Sequence, residues 1–244
     1  MKTINSVQNP LIKQLLELKT NKGRLAARRF LISGYHLVEM AVAKRLVKLV
    51  LTLEPLVDLD PAIEQVIVSV AIMKKLADQV TPQGIIAVCE DVPQLPINGP
   101  RIAYLDQIND PGNLGTILRS ASAFGIDMVL LSPDCVSVYN PKTIAASQGA
   151  IFAVNVREAS IDDIAQLKAK GYRLVGTLLD AKAIPSNEYE WFDNTVVIFG
   201  NEAHGISEQL VPLLDDKIMI PITNVESLNV AMAASIVFYD MKYR

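Results

Sequence analysis

Cysteine and histidine are scarce in this chain of 244 residues, with two of each, and they stand apart. Cys89 and Cys135 share no spacing with each other or with His36 and His204 that would suit a zinc ion or a redox pair, so the sequence offers no metal site. Both thiols are expected to be small, buried and reduced. Half of the residues are hydrophobic, yet no apolar run approaches the roughly 18 residues of a membrane span. No charged leader with a short apolar segment and a cleavage site opens the chain. The sequence therefore reads as a soluble, cytoplasmic protein with no membrane partner. Internal repeats and low-complexity tracts are missing, as is any G-x-G-x-x-G string. Gly205 is followed by Ile206 where a Walker loop would carry lysine, so neither dinucleotide loops nor P-loops are legible.

Negative charge prevails overall, at -3, but it is unevenly spread. Residues 1–50 hold ten Lys or Arg against Glu17 and Glu39, a net +8, which leaves -11 for the rest. A basic segment on an acidic body suits a polyanion-binding module, because phosphate neutralisation is local. The cluster Lys22, Arg24, Arg28 and Arg29 is the candidate phosphate-contacting run. An ordinary solvated helix surface would give the same charge count.

Ile4 to Leu18 reads as a polar entry followed by a helix with Leu11, Leu15 and Leu18 on one face, and then a basic loop. Strands are expected at Phe30 to Ile32, Leu46 to Leu51, Val66 to Val70 and Gly84 to Cys89, with helical pieces at Val38 to Ala43 and Ile72 to Ala77. These make a small α/β unit over residues 1–90. Residues 91–100 (DVPQLPINGP) pack three prolines and a glycine, a composition that marks a linker. From Arg101 strand-like and helix-like segments alternate, which implies an α/β domain over 101–244 with a mostly parallel sheet. A last helix is expected from Glu226 to Tyr239. It is apolar almost all round, so it must be buried on more than one side, in a core or at a subunit interface.

Three strand-loop-helix junctions carry polar residues. In Asp110-Pro-Gly-Asn-Leu-Gly-Thr-Ile-Leu-Arg119, Asn113 can cap the helix, while Leu114, Ile117, Leu118 and Ala121 form its core stripe. Arg119 is left on the opposite face, free to meet a ligand or simply to be solvated. In Val196-Val-Ile-Phe-Gly-Asn-Glu-Ala-His-Gly205 a buried strand runs into Gly200, which permits close backbone approach at the carboxyl edge where parallel sheets bind ligands. Asn201 and Glu202 would equally suit a capping turn before Ser207. In Ile218-Met-Ile-Pro-Ile-Thr-Asn-Val-Glu-Ser-Leu-Asn-Val-Ala231, Thr223 and Glu226 fit a capping box, which leaves Ser227 and Asn229 unexplained.

In this order the three strings resemble the signature motifs of the SpoU (TrmH) type RNA 2'-O-ribose methyltransferases of the SPOUT class. The resemblance covers residues 101–244 and extends more loosely to the N-terminus through Thr81-Pro-Gln-Gly84. The usual G-N-E-G-x-G reads here with Ala203 and His204, and F-x-x-E-G appears as Phe30-Leu-Ile-Ser-Gly34. The resemblance implies a C-terminal α/β trefoil-knot domain preceded by a small α/β substrate-binding domain, and a homodimer with the active site at its interface. It implies S-adenosylmethionine as cofactor, contacted by Gly200, Ile220 and Leu228 with Thr177 or Leu178 adjoining, and no metal. Arg119, Asn113, Glu202, Ser227 and Asn229 would form the polar site, with Arg119 the family's proposed base. Because a guanidinium is normally always charged, gripping phosphate and stabilising a developing oxyanion is the easier role. His36 and His204 read as structural or loop residues. The fused N-terminal module favours rRNA as substrate, with tRNA the alternative. The rivals are a catalytically silent RNA-binding protein, which should have lost the cofactor loops, and a base-methylating relative, which should lack the Asn113 and Arg119 pair.

Overall fold

In the computed structural model, which describes residues 2–78, 81–180 and 182–243, the chain divides into two units. One comprises Met1–Pro93 with Tyr139–Ile144, the other Gln94–Val138 with Ala145–Arg244.

The smaller unit contains β1 (Lys2–Ile4), α1 (Pro10–Glu17), α2 (Asn21–Ala27), β2 (Arg29–Ser33), α3 (Tyr35–Ala43), β3 (Val47–Thr52), β4 (Glu64–Val68), α4 (Val70–Leu76) and β5 (Ile85–Glu90). Asn9 accepts the Leu11 amide at 2.9 Å and so caps α1, which Pro10 opens with its fixed φ. Ile12, Leu15 and Leu18 are buried, whereas Leu11 is only half-buried, so the apolar face is centred one residue later than the leucine spacing suggests. The basic stretch expected as a loop is instead helix α2. Thr20 caps it by accepting the Gly23 amide at 3.0 Å, and Arg28 ends it in a left-handed conformation. The sheet order is β1-β4-β3-β5-β2, with β5 antiparallel to both neighbours. Tyr139 belongs to this unit through a ring stacked 4.4 Å from Phe30 and a hydroxyl that accepts the Val92 amide at 2.8 Å.

The larger unit is built from β6 (Arg101–Leu105), α5 (Pro111–Phe124), β7 (Met128–Leu131), α6 (Pro141–Ser147, its first residues in the smaller unit), β8 (Asn155–Glu158), α7 (Ile161–Ala169), β9 (Arg173–Thr177), β10 (Ile184–Pro185), β11 (Thr195–Phe199), β12 (Asp216–Met219) and α8 (Val230–Tyr243). Its seven strands run in the order β10-β12-β9-β11-β6-β7-β8, and every neighbouring pair is parallel. Strands buried on both faces need apolar residues at every position. Ala103, Leu105, Val129 and Leu131 meet α5 and α8 on one side, while Ile102, Tyr104, Met128 and Leu130 meet α7 on the other. Each fully buried leucine, isoleucine or valine contributes about 1.5–3 kcal/mol relative to exposure. Arg173 holds the Asp216 carboxylate below its ordinary range through a side-chain hydrogen bond, and the Tyr189 hydroxyl adds another at 2.7 Å.

Two helix starts differ from expectation. Asp110, not Asn113, caps α5, its carboxylate accepting the Asn113 amide at 2.8 Å. At the other end of the chain, Thr223 and Glu226 lie in a loop, and α8 begins at Val230. There Asn229 caps, accepting the Ala231 and Met232 amides at 2.9 and 3.3 Å. Both shifts decide which polar side chains remain for other work.

Candidate active site

Because Asp110 satisfies the first amides of α5, the Asn113 side chain is free to turn away from its own helix. Its Nδ2 donates to Glu202 Oε1 at 2.7 Å, and its Oδ1 accepts from Asn229 Nδ2 at 2.9 Å. Donation on one side and acceptance on the other fix the orientation of the Asn113 amide. Asn229 in turn is held by its capping bonds to α8. One chain of hydrogen bonds thus joins the first turn of α5 to the loop after β11 and the loop before α8, residues 89 and 116 positions apart in sequence.

The loop after β11 is rigid for reasons the sequence only hints at. Asn201 and Gly205 exchange both backbone hydrogen bonds, at 2.9 and 2.8 Å, and enclose Glu202, Ala203 and His204. The Asn201 side chain accepts the Ala203 and His204 amides at 2.8 and 3.2 Å and donates to the Gln107 carbonyl at 2.8 Å. Asn201 is therefore the clasp of this loop, not a helix cap before Ser207. A Cβ on Gly200 would stand 2.1 Å from the Gly205 carbonyl carbon and 2.2 Å from the Ile206 amide nitrogen, so only glycine fits where the chain folds back upon itself. An asparagine one residue past a buried strand, with glycine on either side at short range, was the available signal for this clasp.

Four of the five expected cofactor residues lie at the carboxyl ends of three adjacent strands, and Leu228 lies in the loop before α8. Thr177 ends β9, pairs with Ile218 of β12, and donates its hydroxyl to the Ile198 carbonyl of β11 at 3.0 Å. Leu178 donates its amide to the Ile218 carbonyl at 3.0 Å. Gly200 and Ile220 directly follow β11 and β12, and Leu178, Ile220 and Leu228 are half-buried. The rim offers apolar side chains and loop backbone without a charged group among its expected contacts, which fits a purine and a sulfonium approached mainly by backbone.

Two site residues stand outside the network. Arg119 is exposed on α5, and among the described residues no carboxylate or carbonyl holds its guanidinium. Ser227 is exposed in the loop before α8. Among the basic candidates Lys22, Arg28 and Arg29 are exposed, Arg28 with only Asp91 at 3.8 Å. Arg24 corrects the expectation, for it is buried at 6% exposure and its Nη1 donates to the Leu18 and Lys19 carbonyls at 3.2 and 3.1 Å. Burial pulls this guanidinium below its ordinary range, against the opposing pull of Asp78. It ties down the end of α1 and has no face for RNA. In the same unit the string Thr81-Pro-Gln-Gly84 meets the turn after β2, where Gln83 Oε1 accepts the Tyr35 amide at 3.0 Å.

Strand ends bearing a glycine-tight loop, a parallel sheet covered on both faces, and three joined motif loops define the class. The chain belongs to the SpoU rRNA methylase family, whose model matches residues 100–239, and an MRM3-like substrate binding domain matches residues 9–87. Over 99% of its length it is 34% identical to the 23S rRNA (guanosine(2553)-2'-O)-methyltransferase RlmP of Bacillus subtilis, of which all is covered. An AdoMet-bound rRNA methyltransferase from Sinorhizobium meliloti superposes with a TM-score of 0.89 at 26% identity, covering 98% of this chain and 97% of that one. The SpoU methyltransferase AviRb of Streptomyces viridochromogenes, in complex with AdoMet, gives 0.83 at 25% identity, with 96% and 97% covered.

Proposed function

We propose that this protein transfers a methyl group from S-adenosylmethionine to a ribose 2'-hydroxyl of ribosomal RNA in the cytoplasm, working as a homodimer. The observation that carries the reading is the Glu202–Asn113–Asn229 chain, in which Asn113 bonds both partners and so ties three of the polar residues to the loops that border the cofactor rim. Family membership and relatives that are ribose methyltransferases supply the substrate class.

The cofactor, when bound, supplies an activated methyl on a sulfonium. Thr177, Leu178, Gly200 and Ile220 at the strand ends, with Leu228 from the loop before α8, would hold it, and Asn201 would keep the Gly200 loop in shape for it. The ribose oxygen must then lie in line with the methyl, so the protein acts first by orientation. Arg119, without an internal partner, holds an RNA phosphate through its planar fork and steadies negative charge as the hydroxyl loses its proton. Glu202 is committed to Asn113 on one oxygen and fixes that residue beside the substrate. Ser227, exposed in the loop before α8, would bond the RNA.

Support for the dimer comes from α8. Val230, Ala231, Ala234, Val237, Phe238 and Met241 face the core, while Met232, Ile236, Tyr239 and Tyr243 form an exposed stripe at helical spacing. A trefoil knot through the loops of β9, β11 and β12 belongs to this proposal, as does the domain plan of 1–90, 91–100 and 101–244, from which Tyr139–Ile144 departs by joining the smaller unit.

Calorimetry with S-adenosylmethionine and nucleotide-resolution mapping of ribose methylation in rRNA, from cells with and without the gene, test the proposal together. Cofactor binding and one lost 2'-O-methyl group are expected. A full-length protein that binds neither S-adenosylmethionine nor its demethylated product would sink the enzyme reading.

A further inference from the structure

The sheet face away from α5 and α8 carries a cavity lined by none of the residues assigned above to the cofactor or the polar site. It opens at the carboxyl ends of β6 and β7, has a volume of about 390 Å³, and lies wholly within the larger unit. Tyr104 forms part of its floor. This residue is fully buried, and its hydroxyl has no hydrogen-bond partner among the described residues. The Ser207 hydroxyl in the same wall is also buried and has no partner among the described residues. Buried hydroxyls are nearly always satisfied, so two orphans lining one cavity call for a ligand.

The charge of the walls selects its sign. Asp106 is 3% exposed and lies beside Tyr104, with one oxygen taking the Ser207 amide at 2.7 Å. Asp134 and Glu208 are exposed lining residues, and neither is held by a cation among the described residues. No lysine, arginine or histidine is among the described lining residues. Ile161, at the start of α7, adds an apolar surface. Burial and the nearby Asp106 and Asp134 charges push the Tyr104 hydroxyl far above its usual range, so it stays protonated. Its oxygen can still accept a hydrogen bond from an ammonium.

We propose that this cavity binds a linear diammonium or polyamine cation, one ammonium against Tyr104 and Asp106 at the floor and the next between Asp134 and Glu208 at the mouth. The methylenes between them lie along Ile161. Nucleic acid is disfavoured by the three carboxylates, and a bare metal ion would leave the apolar wall unused. The site stands on the fold alone, so its failure would leave the methyltransferase reading untouched. It also lies behind that machinery, since Asp106 ties the strand before α5 to the segment after the Asn201 clasp.

The full chain should be titrated calorimetrically with 1,4-diaminobutane at fixed ionic strength, with butylamine and magnesium chloride as comparisons. One saturable site is expected, with the diamine about tenfold tighter than butylamine because a second charge-assisted contact is made. Tyr104→Phe keeps the ring and should bind the diamine about fivefold more weakly, since it removes only the hydroxyl that would accept from the ammonium. The surface pair Asp134→Asn with Glu208→Gln should bring the diamine down to the affinity of butylamine while leaving the melting temperature unchanged. No saturation by the diamine, unaltered affinity in Tyr104→Phe, or equal competition by magnesium at the same ionic strength would each overturn the proposal.

Discussion

An arginine keeps its charge at any pH at which this protein is folded, so what distinguishes Arg119 from other surface cations is what surrounds it. Leu114, Ile117, Leu118 and Ala121 anchor α5 in the core, and none of them needs Arg119. Arg119→Ala should therefore fold and bind S-adenosylmethionine as the unaltered protein does. Single-turnover methyl transfer at saturating RNA and cofactor should fall on the order of 10²–10³-fold, as when one charge-stabilising donor is lost. Arg119→Lys should recover little of this, because lysine brings charge without the two-pronged fork. A near-normal rate for Arg119→Ala would return Arg119 to the status of a solvated arginine. The exposed face of Arg119 was legible from helical periodicity alone. The partner of Asn113 was not, because aspartate and asparagine cap equally well and the string Asp110-Pro-Gly-Asn113 offers both. Only the structure shows Asp110 taking the capping duty and Asn113 reaching Glu202.

At the scale of elements, α8 shows where pattern reading succeeds and where it stops. Its all-round apolar character announced burial on two sides, and the core occupies one of them. Its start was misplaced because Thr223 and Glu226 have the right spacing for a capping box, while Pro221 and the left-handed Asn224 keep the intervening chain out of helix. The stripe of Met232, Ile236, Tyr239 and Tyr243 is exposed, and in the proposed homodimer a second α8 related by a two-fold axis would cover it. Met232→Glu with Ile236→Glu places four like charges in such an interface. Sedimentation should then find single chains in place of pairs, with far-ultraviolet circular dichroism unchanged because neither residue touches the core. Persistence of the dimer would move its interface elsewhere. Short elements escaped the sequence altogether: β1 spans three residues and α2 seven, too few for a period to declare itself.

For the whole molecule, the distribution of charge matters more than its sum. The alternation of strands and helices after Arg101 implied a mostly parallel sheet, and all its neighbouring pairs prove parallel. By contrast, no local pattern could assign Tyr139–Ile144 to the smaller unit, since that depends on Tyr139 meeting Phe30 across more than a hundred residues. The +8 of the first fifty residues invites a counterion-release argument, but Arg24 must be removed from it because its guanidinium is spent on carbonyls. Lys22, Arg28 and Arg29 remain exposed and available to phosphate. Replacing these three with glutamine should weaken RNA binding and reduce the slope of log K against log salt by about 2–3, since each lost phosphate contact removes roughly 0.7–0.9. S-adenosylmethionine affinity should be unchanged, because its expected contacts all lie in the larger unit. Arg24→Gln is the internal comparison: it should lower the melting temperature by loosening the end of α1 while leaving the salt slope of the remaining folded protein as it was. If the triple variant keeps the full slope, the phosphates are gripped by the acidic body, and Arg119 with its neighbours must carry RNA affinity as well as rate.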